Sequence, residues 1–253
     1  MSKKNIRIAV SGALGKMGKI ISKEIINRND IILSTAIVKK KSKDTKIDIN
    51  KIDNAKNTEI NVTDSIEKEI NNFDVLIEFS TPECTMNHLK LCKKYNKKIV
   101  IGTTGLKLEE KKTIKKYSKE IGIFYASNFS IGINIVMNLL KQVSKNSNPN
   151  IDIQIIESHH KSKIDSPSGT ALSMEEIISK NLKHKKNKVK CYSIRAGNII
   201  GEHKIMFIDN NETIEIIHKA HNRNIFAKGA IEAAIWLLKK QKGLFNMNDM
   251  IKS

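Results

Sequence analysis

Residues 5–12, NIRIAVSG, run straight into GALGKMG, and the segment KMGKIISKEIINRN (16–29) then carries apolar side chains at helical spacing. A short apolar strand that breaks on glycines and restarts as an amphipathic helix sets the tightest limit on the fold. Gly12, Gly15 and Gly18 give a G-x-x-G-x-x-G spacing. Glycine permits a tight turn and close backbone approach, while the helix N-terminus offers unsatisfied N–H groups and a positive dipole end to a phosphate. An isolated glycine turn is common, so the strand–turn–helix context carries the inference. It predicts a dinucleotide-binding first domain.

The alternation continues. IILSTAIV (31–38) reads as a second strand, followed by a polar stretch without period, and FDVLIEFS (73–80) as another strand. Thr81 and Pro82 form an N-cap and first helical position for the helix over ECTMNHLKLCKKYN. KKIVIGTTG (97–105), LEEKKTIKKYSKEIG (108–122) and IFYAS (123–127) repeat strand, helix, strand. This pattern predicts a Rossmann-type parallel sheet covered on both faces. From residue 131 the character changes: a helix over 131–145, a strand over 151–157, a helix over 171–182, a hairpin across Asn210-Asn211 and a closing amphipathic helix over 225–241. That half reads as an α+β domain with a mixed or antiparallel sheet, so the fold class is α/β with a second α+β domain.

Composition narrows the function classes. The net charge of +19 raises nucleic-acid binding, but the lysines are spread over every segment and aromatic residues are only 5%. Excess lysine arrives together with excess isoleucine and asparagine, the signature of AT-rich codons, and a base-stacking surface is lacking. The expected partner is therefore not a nucleic acid. No apolar run reaches the roughly 18 residues of a membrane span, and the N-terminus reads as a strand rather than a signal peptide, so a cytoplasmic protein is expected. Cys84, Cys92 and Cys191 show neither CxxC nor metal-ligand spacing, and no metal is expected.

A dinucleotide fold that prefers NAD places an acidic residue after the second strand to bond the ribose hydroxyls; here that strand ends Val38-Lys39. Lys39 suits a 2′-phosphate, which favours NADPH while leaving NADH possible. GTTG (102–105) and ASNFSIG (126–132) end strands of the same half, at the sheet edge where a cofactor extends its nicotinamide.

The least common stretch is ESHHKSKIDSPSGTA (157–171). His159, His160, Lys161 and Lys163 crowd ahead of a helix start that Ser168 or Thr170 can cap. An ammonium, imidazoles and free helix N–H groups can hold a carboxylate while one imidazole moves a proton near neutral pH. The loop predicts a small acid or diacid substrate, reduced where a proton as well as a hydride is needed.

These segments, with EFSTPECTMNHL, IRAGNIIGEHKIMF, IEIIHKA and the closing FAKGAIEAAIWLL, resemble the 4-hydroxy-tetrahydrodipicolinate reductase (dihydrodipicolinate reductase) family nearly end to end. SHHKSKIDSPSGTA is the most specific piece. The resemblance implies NAD(P)H-dependent reduction of a small cyclic dicarboxylate in diaminopimelate and lysine biosynthesis, with hydride delivered to C4 of the heterocycle after loss of water. It implies His159 as general acid/base, Lys163 as second proton donor, and His160, Gly169 and Thr170 as substrate contacts. Gly12, Ala13, Leu14, Gly15, Lys16 and Met17, then Gly102, Thr103 and Thr104, then Ala126, Ser127, Asn128 and Phe129 match its cofactor-binding segments. It also implies a homotetramer built by the second domain, and a C-terminus that returns to the first. The domains expected are thus 1–130 with 241–253, and 131–240. Members often hold Glu-Arg where this chain has Val38-Lys39, and a long Gly- and Arg-rich stretch where it has only KHKKNKVKCYS, which bears on assembly. Alternatives are another NADP-dependent oxidoreductase of an amino-acid-derived acid, or a basic nucleotide-binding protein whose activity has decayed.

Overall fold

The structure, a computed structural model, describes residues 5–38, 60–183 and 189–252. The chain forms two compact units, Met1–Phe129 with Asn224–Ser253, and Ser130–Arg223.

The first unit begins with β1 (Ile6–Ser11), α1 (Lys16–Ile26), β2 (Ile31–Ile37), β3 (Asn61–Thr63) and β4 (Val75–Glu78). It continues through α2 (Pro82–Lys94), β5 (Lys98–Ile101), α3 (Leu108–Tyr117) and β6 (Gly122–Tyr125). The second unit holds α4 (Ile131–Asn146), β7 (Asp152–His159), α5 (Gly169–Asn181), β8 (Lys190–Arg195), β9 (Gly201–Ile208) and β10 (Thr213–Ala220). The chain then returns to the first with α6 (Asn224–Leu238), β11 (Gly243–Phe245) and α7 (Met247–Ile251).

The first sheet runs β11-β6-β5-β4-β1-β2-β3, and every pairing is parallel. Its strands are nearly continuous apolar runs because both faces are covered. One apolar cluster joins Ile8, Val10, Ile21, Ile25, Phe124 and the alanines of α6; a second joins Ala9, Leu76, Leu89, Ile99 and Ile114. Local signals hold: Thr81 caps α2, its hydroxyl accepting from Cys84 N at 3.4 Å with Pro82 in the first turn.

The second unit has a mixed sheet, β10-β9-β7-β8, antiparallel except for β7 with β8. Its inner face packs Ile153, Ile155, Ile205 and Phe207 against Leu140, Met174 and Ile178 of α4 and α5.

One boundary differs from the sequence expectation, which put 131–240 in the second domain. Helix α6 belongs to the first unit, lying on α1, β4, β5 and β6. Its buried residues are Ala227, Gly229, Ala230, Ala233 and Ala234 with Ile231 and Leu237, and a Cβ at Gly229 would overlap the Phe129 carbonyl. Small side chains let α6 approach that closely, but the same stripe in sequence does not say which sheet it serves. The three-residue strands β3 and β11 are too short to carry a period and were not expected.

Candidate active site

In the first unit, the residues expected to meet a dinucleotide lie beyond the carboxyl ends of neighbouring parallel strands: 12–17 after β1, 102–104 after β5, 126–129 after β6. This is where open α/β sheets bind ligands. Gly12 has φ +73, and any Cβ there would overlap the Phe79 carbonyl; a Cβ at Gly18 would overlap the Gly12 carbonyl. Gly12 N and Ala13 N donate to Ile37 O at 3.1 and 3.2 Å, stitching the glycine turn to the end of β2. Helix α1 has Gly15 as its N-cap, with no side-chain cap and no acidic residue in its first turn. An uncapped, cation-bearing N-terminus behind a turn that tolerates no side chain fits a pyrophosphate.

The predicted residues divide by where their side chains go. Ala13, Thr103 and Phe129 are buried, Phe129 stacking on Phe124 at 6.0 Å and Thr103 Oγ1 accepting from Thr85 Oγ1 at 2.8 Å. Only their backbone can serve a ligand. Gly15, Lys16, Thr104 and Ser127 are exposed; Leu14, Met17, Gly102, Ala126 and Asn128 are half-buried. Gly102 is fixed by packing, since a Cβ would overlap the Phe79 ring. Val38, standing where NAD-preferring folds carry a carboxylate, is an apolar side chain only 7% exposed. Lys39 lies outside the described residues.

Sequence reasoning did not single out the end of β4, which sits between β1 and β5. Glu78 there is fully buried, accepting from Ser80 N at 2.9 Å and from the Ser80 hydroxyl, with His88 Nδ1 at 2.5 Å from its other oxygen. Ser11 Oγ lies 3.3 Å from the same His88 nitrogen. This network pins the turn after β4 to the end of β1.

In the second unit, β7 ends at His159, which is buried; His160 and Lys163 follow in the loop, and Gly169 and Thr170 open α5. Ser168 is the N-cap, accepting from Ala171 N at 3.2 Å. His160 Nδ1 lies 2.9 Å from Ser162 Oγ. Lys163 Nζ donates to both Asp165 oxygens at 2.6 and 2.8 Å, and its backbone N–H donates to His160 O at 3.1 Å. The Lys163 ammonium holds the Asp165 carboxyl below its ordinary range, helped by the Gly169 N–H.

His159 Nδ1 is hydrogen-bonded to Glu157, two residues earlier on the same inner face of β7. Glu157 is fully buried, and Arg195 closes on it as a fork: Nη1 to Oε2 at 3.0 Å, Nη2 to Oε1 at 2.6 Å. Ser168 N donates to Oε1 at 3.2 Å, and Arg195 Nη2 also donates to the Asp165 carbonyl at 2.6 Å. Burial pushes the Glu157 carboxyl up, but the bonds from Arg195, Ser193 and His159 outweigh it and hold it down at about 2. For His159, burial pushes the pKa down and Glu157 opposes it, the balance falling below the ordinary histidine range. His203 of β9 packs edge-on to His159, ring centroids 5.3 Å apart, and burial drives its pKa down to about 4.

The loop thus collects a buried imidazole, an ammonium and a helix N-terminus in one unit, as the sequence indicated. Glu157, Asp165, Arg195 and His203 were missed as members. Glu157 and His159 share parity on a strand, a signal available in sequence; Arg195 reaches His159 only through the β7–β8 register.

Comparison with known proteins agrees along the whole chain. Family models described as dihydrodipicolinate reductase, N-terminus and C-terminus, match residues 6–129 and 132–251. The 4-hydroxy-tetrahydrodipicolinate reductase of Buchnera aphidicola subsp. Baizongia pistaciae is 45% identical, covering 99% of each chain. That of Wigglesworthia glossinidia brevipalpis is 50% identical over 98% of this chain and 93% of its own. A solved structure, dipicolinate-bound dihydrodipicolinate reductase from Paenisporosarcina sp. TG-14, superposes with a TM-score of 0.80 at 26% identity, covering 96% of this chain and 99% of that one. An amine dehydrogenase from Mycobacterium smegmatis, TM-score 0.65 at 8% identity, shares the fold alone. With a full-length sequence match and the same two-unit architecture, this chain belongs to the dihydrodipicolinate reductase family.

Proposed function

We propose that the chain reduces 4-hydroxy-tetrahydrodipicolinate to tetrahydrodipicolinate in diaminopimelate and lysine biosynthesis, releasing water and consuming one reduced nicotinamide dinucleotide and one proton. The observation that carries this reading is the 157–170 loop, where a buried imidazole, an ammonium and a helix N-terminus stand together in a chain of this family. When bound, the nicotinamide supplies the hydride. The glycine turn at 12–15 and the N-terminus of α1 take its pyrophosphate, with 102–104 and 126–129 forming the wall along the remaining dinucleotide. The Gly169 and Thr170 backbone and His160 take substrate carboxylate oxygens. His159 gives the ring its proton, and Lys163, released from Asp165, serves as the second donor. NADPH is the preferred donor, because Val38 offers the ribose no carboxylate and Lys39 follows it in sequence.

The assembly is a homotetramer made through the outer face of the second sheet. That face carries Tyr192, Ile194 and Ile217, which are 48%, 47% and 48% exposed. The three free cysteines, Cys84, Cys92 and Cys191, suit a reducing cytoplasm.

The test is loss of reduced-nicotinamide absorbance with freshly generated hydroxytetrahydrodipicolinate, run with NADPH and NADH in parallel. Turnover with a higher kcat/KM for NADPH is the expected result. Equal use of both refutes the donor preference alone, and no turnover by a folded, cofactor-binding protein refutes the reaction.

A further inference from the structure

Among the described residues, the proposed reaction leaves two fully buried carboxylates without a task, Glu78 at the end of β4 and Glu157, and Glu157 is the one bonded to His159. Leaving a carboxylate in a fully buried position costs several kcal/mol unless it is paired and hydrogen-bonded, and this one is bonded at both oxygens. Oε1 receives Ser168 N at 3.2 Å and Arg195 Nη2 at 2.6 Å; Oε2 receives Arg195 Nη1 at 3.0 Å and faces His159 Nδ1. With donors on every side, the acceptor role belongs to Glu157 throughout, so a neutral His159 must carry its proton on Nδ1. Its Nε2 is then left as the nitrogen that exchanges protons, and it faces the side-chain-free space at Gly201, where a Cβ would stand 3.2 Å away.

We propose that Glu157, clamped by Arg195, is a positioning residue that fixes the tautomer and ring orientation of His159 and keeps its Nε2 competent for proton transfer. This deepens the reading given above and rests on it for the role of His159. The groups facing the pair are Arg195 on β8, His203 on β9, and Lys163 in the loop, with His218 on β10 beyond His203. Lys163 and Arg195 are cations that disfavour a charged His159, and His203 is a weak base coupled to it in the same sense. Glu157 is the one group that favours it.

Glu157→Gln sharpens the test. Ser168 N and Arg195 Nη2 hold the amide oxygen at the Oε1 place, which turns the amide NH2 toward His159 Nδ1. The bond reverses, and the neutral imidazole moves its proton to Nε2. With 15N-labelled histidine, His159 is expected to read as the Nδ1–H tautomer in the unsubstituted chain and as Nε2–H in Glu157→Gln. This readout needs no turnover, so it stands or falls separately from the reaction. In turnover, kcat is expected to fall about 100-fold with KM for NADPH within twofold, and the alkaline limb of the pH profile is expected to move toward acid. In a His159→Gln background, adding Glu157→Gln is expected to cost nothing further. Retention of the Nδ1–H tautomer in Glu157→Gln, or an equal loss of kcat in both backgrounds, overturns the proposal. Glu157→Asp keeps the charge for Arg195 and serves where the Gln chain fails to fold; full kcat with the shortened arm overturns it as well.

Discussion

Lys163 and Gly12 illustrate how differently single residues enter this molecule. Among the described residues, the Lys163 side chain, 21% exposed, is ion-paired to Asp165 in a surface loop, so its removal opens no core. Lys163→Ala is therefore expected to leave the melting curve and NADPH affinity unchanged while kcat falls about 10²–10⁴-fold. Stopped-flow turnover beside a fluorescence titration of cofactor checks both halves, and near-normal kcat refutes the donor role. Gly12 is the opposite case, since its φ of +73 and the Phe79 carbonyl leave no room for a side chain. Gly12→Ala is expected to cost about 1–3 kcal/mol of stability and at least tenfold in NADPH affinity, read by denaturant unfolding and the same titration. Both residues stand out in sequence because their signals are local: a cation beside two histidines, a glycine after an apolar strand. Arg195 does not, because its link to Glu157 spans 38 positions and exists only through strand pairing.

Elements were readable where a period was long enough to count. Helices α1, α2, α4 and α5 and strands β1, β2, β7 and β9 fall close to where apolar spacing puts them. The cap at Ser168 was one of two choices; the structure takes Ser168, whose hydroxyl also lies 3.3 Å from His203 Nε2. The placement of α6 was not readable, because an alanine face fits any close neighbour, and residues 39–59 gave no period and lie outside the described residues. Gly229→Ala tests the α6 contact, since a methyl must displace the helix from the Phe129 carbonyl. A loss of about 1–3 kcal/mol with reduced cofactor affinity is expected, because Phe129 ends the 126–129 segment. The buried His203 and Glu157 of the second sheet, paired across β9 and β7, predict a pH dependence of stability. His203, buried, titrates near 4 when folded against an ordinary 6.5, so the unfolded chain binds more protons between those values and stability falls as pH drops from 6.5 to 4. Glu157, depressed from 4.5 to about 2, then withdraws its contribution as pH falls through that lower window. Urea midpoints across pH should show the upper slope shrink in His203→Gln, the rest coming from His159 and His218, which burial also lowers; an unchanged slope removes His203 from the account.

For the whole assembly, the outer face of the second sheet and the net charge pull in opposite directions. Strand pairing aligns Ile217, Lys204, Ile156 and Tyr192 in one row across that face, with Ile194 in the next. Two cations interspersed there are matched within one copy, Lys204 with Glu215 at 2.6 Å and Lys219 with Glu202 at 3.0 Å, while Lys190 and Asp152 stand exposed at its end. A second copy can cover the middle of this face by burying apolar side chains and neutral pairs, leaving Lys190 and Asp152 at the solvated rim. Against that, each chain carries a net charge of +19, so like-charged copies repel. Salt screens this repulsion while leaving apolar burial intact, so the proposed homotetramer is expected to tighten as ionic strength rises. An assembly held by ion pairs between copies would loosen instead, and light scattering across a salt series separates the two. Ile217→Glu completes the test. A carboxylate in this row, on the edge strand β10, must be desolvated in the proposed tetramer but not in the free chain, so dissociation at concentrations where the parent is assembled is expected. His159 and Lys163 lie in the inner-face row and its loop, so the tautomer of His159 should survive the dissociation; an Ile217→Glu chain that stays tetrameric assigns the assembly to another surface.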